Sequence, residues 1–238
     1  MKKIKSFTLA EVLITLVIIG IIAAITVPNL IVSYQKKQTA IKLKKTYSEI
    51  CQAVALAEVQ FGNKETWEWG VGLSGTDFFN KYLVPFVTIS KKKMSEVRQE
   101  GISYHKVNGQ VTTQVTSLYN DAYVTTLSSG VQILTSKTVS YNEEIWKKQS
   151  RYGLTVDLNG PQKPNRYGRD VFLFYVTPDG VFPGHNDDDE PYTQQRPRSE
   201  LLDGPSKYGY QCNEEGLGLW CAAVIMADNW EIKDDYPW

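Results

Sequence analysis

The chain has 238 residues, in which 26 lysines and arginines balance 26 aspartates and glutamates, so its overall charge gives no support to nucleic-acid binding. Its two histidines, His105 and His185, lie far apart. With no HExxH, Cys-rich metal spacing, G-x-S-x-G elbow or P-loop around them, no familiar catalytic motif is present.

At the N-terminus, Met1-Lys2-Lys3-Ile4-Lys5-Ser6 is short and basic. An apolar run over residues 7–32 follows, interrupted only by Thr8, Glu11, Thr15, Gly20, Thr26, Pro28 and Asn29. About 20 residues at a rise of roughly 1.5 Å cross a hydrocarbon core of about 30 Å, so this run suffices to span a membrane. A secretory signal peptide has an apolar region of roughly 7–15 residues that ends at an A-x-A-like site, and neither condition is met. Glu11 is the anomaly, because a charged side chain at the centre of a membrane helix costs about 2.5–3.5 kcal/mol on insertion scales. Intramembrane acids are therefore functional candidates, and a partner amine would account for this one.

Lys5-Ser6-Phe7-Thr8-Leu9-Ala10-Glu11, with the apolar helix behind it, resembles the type III signal of type IV pilins and type II secretion pseudopilins. The resemblance implies that a prepilin peptidase cuts between Ser6 and Phe7 on the cytoplasmic face and N-methylates Phe7. The cut creates an amine that Glu11 can meet, on its own chain or on a neighbour. Because buried ion pairs often only break even in stability, setting the register between helices is the better-attested use of such a pair. Gly20 and Pro28 fall at familiar helix-interrupting positions of the family, and Pro28 is expected to kink or locally melt the helix. Ser6 departs from the pattern, since most members carry glycine there. Lys2, Lys3 and Lys5 precede the span while Lys36, Lys37, Lys42, Lys44 and Lys45 follow it, so the positive-inside rule alone does not set the orientation. The resemblance implies a single-pass inner-membrane protein, N-terminus in, with the C-terminal domain periplasmic or extracellular.

Beyond the span, Ala40, Leu43, Tyr47, Ile50, Val54, Ala57 and Phe61 recur at spacings of three and four, while Lys42, Lys44, Lys45, Ser48, Glu49, Gln52 and Glu58 complement them. This predicts an amphipathic helix half that lays one face on a globular domain and ends at a Gly62-Asn63 cap. Thr76-Asp77 reads as the start of a short helix that Pro85 limits. Strands are expected at 122–127 and 131–135 around Ser128-Ser129-Gly130, and at 171–177 before Pro178-Asp179-Gly180 and Val181-Phe182. The acidic run Asn186-Asp187-Asp188-Asp189-Glu190 reads as solvated loop within a Pro-rich stretch reaching Pro205. Lys91-Lys92-Lys93 and Lys147-Lys148 read as solvated surface. Trp220, Trp230, Tyr236 and Trp238 read as core packing.

Cys212 and Cys221 are expected to close a disulfide in an oxidising compartment. A loop of about ten residues is worth about 2 to 3 kcal/mol in the chain-entropy model. Cys51, on the long helix, reads as a free packed thiol. Val156-Asp157-Leu158-Asn159-Gly160, then Pro164-Asn165, then Gly168-Arg169-Asp170 offers hard oxygen ligands around a sharp turn, as calcium prefers, and major pseudopilins resemble it in having a calcium-supporting loop. Asp157, Asn159 and Asp170 are the ligand candidates. Ordinary Asx-turns use the same residues, so both readings stand.

The expected fold is α+β: a long N-terminal helix packed on a mainly antiparallel sheet, pilin-like. Residues 1–6 would be a leader, 7–32 the transmembrane helix half, 33–61 the amphipathic half and 62–238 the globular domain. The expected function is that of a non-enzymatic, prepilin-like subunit of a type II secretion pseudopilus or type IV pilus-like filament. Its partners would be the peptidase, other subunits and an inner-membrane assembly platform, with no cofactor beyond calcium. A signal-anchored periplasmic enzyme, a membrane-anchored ligand-binding module, and a minor or competence pilin that binds DNA or surfaces stay open as alternatives.

Overall fold

A computed structural model of the chain describes residues 8–69, 73–93, 101–112, 123–135, 151–187, 190, 192 and 195–238. Helix α1 (Leu9–Phe61) is a single helix of 53 residues. Two compact units divide it, Met1–Gln38 and Thr39–Trp238.

In the first unit, every residue from 8 to 35 is exposed. A helix apolar on all sides has no face to turn to water, and this one is long and apolar enough to cross a membrane. The helix continues through Gly20 and Pro28, so the melted turn expected at Pro28 does not occur. Proline deletes one donor, and the surrounding turns hold, with the Thr26 hydroxyl donating to Ile22 O.

In the second unit, α1 becomes one-sided. Ala40, Leu43, Ile50, Val54 and Ala57 are buried as their spacing predicts, joined by Thr46 and Ala53, while Tyr47 and Phe61 are half-buried. Burying a Leu, Ile or Val side chain contributes about 1.5–3 kcal/mol, which anchors this half without help from the first. Gly62 closes the helix at φ +86, its N–H donating to Glu58 O, the left-handed cap that glycine adopts without strain.

Three short turns follow: α2 (Gly75–Phe78), a π-helical turn (Phe79–Leu83) and α3 (Val84–Val87). The start is Ser74, not Thr76, because the Ser74 hydroxyl accepts from Asp77 N–H at 3.0 Å and donates to the Asp77 carboxylate at 2.6 Å. Pro85 does not end the segment; it sits in the last turn, after the π-turn has already changed the hydrogen-bond spacing.

A six-stranded antiparallel sheet follows in the order β1 (Thr88–Lys93), β4 (Tyr123–Leu127), β5 (Gln132–Thr135), β6 (Tyr152–Asp157), β7 (Val171–Thr177) and β8 (Gly180–Pro183). A separate hairpin joins β2 (Tyr104–His105) to β3 (Val111–Thr112). Two short helices, α4 (Arg198–Asp203) and α5 (Cys221–Ala227), complete the chain. The 123–135 and 171–183 hairpins match expectation, though Ala122 lies outside the described residues. Lys91, Lys92 and Lys93 form edge strand β1, whereas Lys147 and Lys148 lie outside them.

Period-two alternation gives the sheet two buried faces. Ile133, Leu154, Val156, Phe172, Phe174 and Val176 join the core that includes the α1 residues, while Val124, Leu134 and Val171 join Tyr104 and Tyr167 in a second cluster. Strand β7, Val171-Phe172-Leu173-Phe174-Tyr175-Val176, is apolar on both sides because both faces are covered. Trp220 and Tyr236 are buried, with Trp230 and Trp238 packed against them.

The solvated loop expected at 186–190 is corrected. Asn186 and Asp187 are buried, and Asp187 accepts from Ser206 Oγ and Lys207 N–H at 2.6 Å each. Glu190 pairs with Arg196, whose guanidinium lies over the Trp220 ring. Hydrogen-bonded donors thus replace the water that like charges would otherwise seek. Asp188 and Asp189 lie outside the described residues.

Phe174 is fully buried and stacks near Tyr47 of α1, ring centroids 5.7 Å apart. Phe174→Ala is expected to destabilise the chain by about 3–5 kcal/mol, read as a lower denaturant midpoint at unchanged slope.

Candidate functional site

Two places carry chemistry, the start of α1 and the loop between β6 and β7. At the first, Ser6 and Phe7 lie outside the described residues. Thr8 caps the helix reciprocally with Glu11: the Thr8 N–H and hydroxyl both donate to Glu11 Oε2 at 2.8 Å, and Glu11 N–H donates to Thr8 Oγ1 at 3.3 Å. This is a capping box, Thr-x-x-Glu, which satisfies donors that a helix N-terminus otherwise leaves free. Its signal was present in the sequence as Thr8 three residues before Glu11. Gly20, farther along, has no atom of the described residues beyond its own helical turns within 4 Å of where a Cβ would stand, and Pro28 is exposed.

At the second place, strand alternation explains the geometry. Residues 154 and 156 of β6 point into the core that α1 joins, so Asp157 falls on the other face, opposite Val171 of β7. There it is fully buried and accepts from Tyr104 Oη at 3.3 Å and from Asn159 N–H at 3.2 Å. Asp170 is also buried and accepts from Asn165 N–H at 2.8 Å and Arg166 N–H at 2.6 Å. The loop therefore brings Asp157, Asn159 and Asp170 together.

Burial, then the negative charge of Asp170, pushes the Asp157 carboxyl well above the ordinary carboxylate range. Burial also raises Asp170. Burial, then the Asp157 charge, pushes the Tyr104 phenol far above its ordinary range, so it stays a donor. Asn159 Oδ1 is buried without a hydrogen-bond partner among the described residues. The buried Asn165 carboxamide, oriented with its nitrogen towards them, donates to Gly160 O and Gln162 O at 2.9 Å each, so these two carbonyls are satisfied within the loop.

Among the described residues, no three His, Cys, Asp or Glu side chains gather as a metal cluster. The donor set is instead two carboxylates with the Asn159 amide oxygen. Hard cations prefer oxygen-only sets of this kind, and the Asp157 to Asn159 contact is at the same time an Asx-turn. Asn165 lies within the motif read from the sequence, as a brace of the loop and not as a ligand candidate, whereas Tyr104 was missed, because only the fold brings the β2–β3 hairpin over Asp157.

Cys212 and Cys221 form a disulfide, and both are fully buried. Cys51 is a free, half-buried thiol that burial pushes upward in pKa.

The model of a family of unknown function (DUF6613) matches residues 29–238, and the model of the prokaryotic N-terminal methylation motif matches residues 1–27. No curated protein and no solved structure matches the chain.

A carboxyl whose native pKa lies above its unfolded value, about 3.9 for Asp, binds its proton more tightly in the folded chain. Its contribution therefore favours folding at low pH and is lost as pH rises from about 4 through the native value. In chelator, Asp157→Asn is expected to be more stable than wild type at pH 7 and to lose that advantage towards pH 4, read from thermal midpoints across pH.

Proposed function

This chain belongs to the DUF6613 family and is a prepilin-type N-terminal cleavage/methylation domain protein; from that premise we propose that it polymerises as a subunit of a type II secretion pseudopilus or type IV pilus-like filament. The observation that carries the reading is the methylation motif over residues 1–27 leading into a helix whose residues 8–35 are all exposed and mostly apolar. Such a surface calls for lipid or other helices around it, and a filament subunit meets each in turn, lipid before assembly and neighbouring helices after it.

In this reading a prepilin peptidase cuts between Ser6 and Phe7 and methylates Phe7, which keeps its charge. Glu11 meets that amine, on its own chain or a neighbour's, and sets the stagger between helices. An inner-membrane assembly platform and other subunits are the remaining partners. The N-terminus faces the cytoplasm and the second unit the periplasm or exterior, where an oxidising medium suits the disulfide.

A specific observation favours a second role, calcium binding by the 157–170 loop. Two buried acids and the Asn159 Oδ1, buried without a hydrogen-bond partner among the described residues, fit a hard cation. Asp157 and Asp170 would supply charge, while Asn159 would supply a neutral oxygen. Bound there, calcium would neutralise the two carboxylates and tie β6 to β7.

Intact-mass analysis of the membrane-extracted protein is expected to show loss of residues 1–6 and gain of one methyl at Phe7. An uncut chain in the presence of the peptidase would sink the filament reading. Glu11→Ala is expected to be cleaved and stable yet absent from sheared filament fractions. Filaments of wild-type abundance would remove Glu11 from the interface.

Calcium at about 100 times its Kd is expected to raise the thermal midpoint by about 5 to 10 °C. Asp157→Ala and Asp170→Ala should each abolish the shift, and its persistence in both would place calcium elsewhere.

A further inference from the structure

We infer that the Cys212–Cys221 disulfide and Tyr236 form a platform that positions the 157–170 loop through Gly168, so that closing the disulfide and binding calcium favour one another. The inference rests on the calcium reading of that loop.

The contact is close. Gly168 has φ +78, and a Cβ built on it would stand 2.7 Å from Cys221 Sγ and 3.2 Å from Tyr236 Oη. Sulfur and phenol therefore occupy the space that a side chain would take. Tyr236 Oη also donates to Gly168 O. On its far side, Cys221 Sγ lies 3.5 Å from the Cβ position of Gly218, so the sulfur is held between two glycines.

Gly168 belongs to the turn that aims Asp170. Its N–H donates to Val171 O, and the Asp170 and Val171 N–H groups both donate to Arg166 O. This turn places the Asp170 carboxylate on the N–H groups of Asn165 and Arg166. Asn165 carries the amide that faces Gly160 O and Gln162 O. A displaced sulfur is thus felt at Gly168, then at Asp170, a ligand candidate, and at Asn165, which braces it.

Closing the bond removes two protons and two electrons from the Cys212 and Cys221 thiols, taken up by a small disulfide oxidant that is reduced to two thiols. In the reverse direction, two thiols need more room than one bonded pair, and a close-packed interior yields that room only by shifting its neighbours. If the oxidised platform raises calcium affinity by some factor, calcium raises the tendency to oxidise by the same factor.

The test uses the full chain in detergent micelles, with calcium titrated calorimetrically into oxidised wild type, Cys212→Ser/Cys221→Ser, and Tyr236→Phe. Thiol titration confirms that Tyr236→Phe keeps its disulfide, and circular dichroism confirms that each variant is folded. The cysteine variant is expected to bind calcium about tenfold more weakly, within the usual range of site-to-site coupling. Tyr236→Phe should weaken binding by a smaller factor. Wild type equilibrated in glutathione buffers should be more oxidised with calcium than with chelator.

Wild-type affinity in both variants, or in Tyr236→Phe alone should the cysteine variant fail to fold, overturns the platform while leaving the calcium site standing. Oxidised wild type that binds no calcium overturns the calcium reading and the platform with it.

Discussion

The constraint on which everything else depends is that helix α1 must satisfy two different surroundings with one backbone. Over residues 8–35 its surface is exposed on every side, and only an apolar medium or other helices can cover such a surface. From Ala40 onward the same helix is amphipathic, and its stripe completes the core beside the sheet. A helix is suited to this change because its hydrogen bonds are internal to the segment and are kept whatever surrounds it. The globular unit thus takes its core from Leu43, Ile50 and Val54 and asks nothing of the apolar half, which stays available for assembly in the proposed filament.

A second consequence of regular geometry is the placement of acid in the core. Because side chains alternate along β6, a strand that sends Leu154 and Val156 into the larger core must send Asp157 to the opposite face. There Tyr104 from the β2–β3 hairpin covers it, and the chain returns through residues 165–171 with Asp170. Two buried carboxylates would be a liability in a purely structural turn, since burial and their mutual repulsion both oppose ionisation. A cation removes both objections at once. The same turn meets the disulfide through Gly168, so the covalent tie and the proposed ionic one would bear on one segment of the fold.

Much of this was legible in the sequence where a single physical signal dominates. The 3.6-residue period of residues 40–61, the glycine cap at Gly62 and the turn chemistry around Gly130 and Gly180 each act locally, and the structure follows them. Legibility failed where distant residues decide the outcome. The acidic stretch that includes Asp187 looks solvated until Ser206 and Lys207 supply donors from twenty residues away. Strand β1 hides behind three consecutive lysines, because an edge strand tolerates charge that a central strand does not. Strand β6 was obscured by the Asp-x-Asn-Gly signal at its end, which is a true turn signal but marks where the strand stops. The carboxylates of the loop and Asn165 were visible, whereas Tyr104 was not, since neither spacing nor residue type announces a partner that a distant hairpin supplies.

At Glu11 a local role and the proposed assembly role can share one side chain. An ionised carboxylate offers about four acceptor positions on two oxygens. Thr8 uses Oε2 twice, through its N–H and its hydroxyl, while Oε1 accepts nothing among the described residues. Capping the helix therefore does not exhaust Glu11. In the precursor the capping box holds the carboxylate at the start of the helix through one of its two oxygens. In the proposed mature subunit the new amine on Phe7 lies next in sequence to Thr8, and a neighbour's amine can approach the other oxygen without breaking the cap. Because the cap fixes the side chain before any partner arrives, less rotamer freedom is lost when the partner binds. An acid elsewhere in the span, without a threonine three residues before it, would have to be ordered by the partner alone. That difference is a physical reason for Thr8 and Glu11 to act as a pair, with the threonine aiming the charge that the proposed filament register would use.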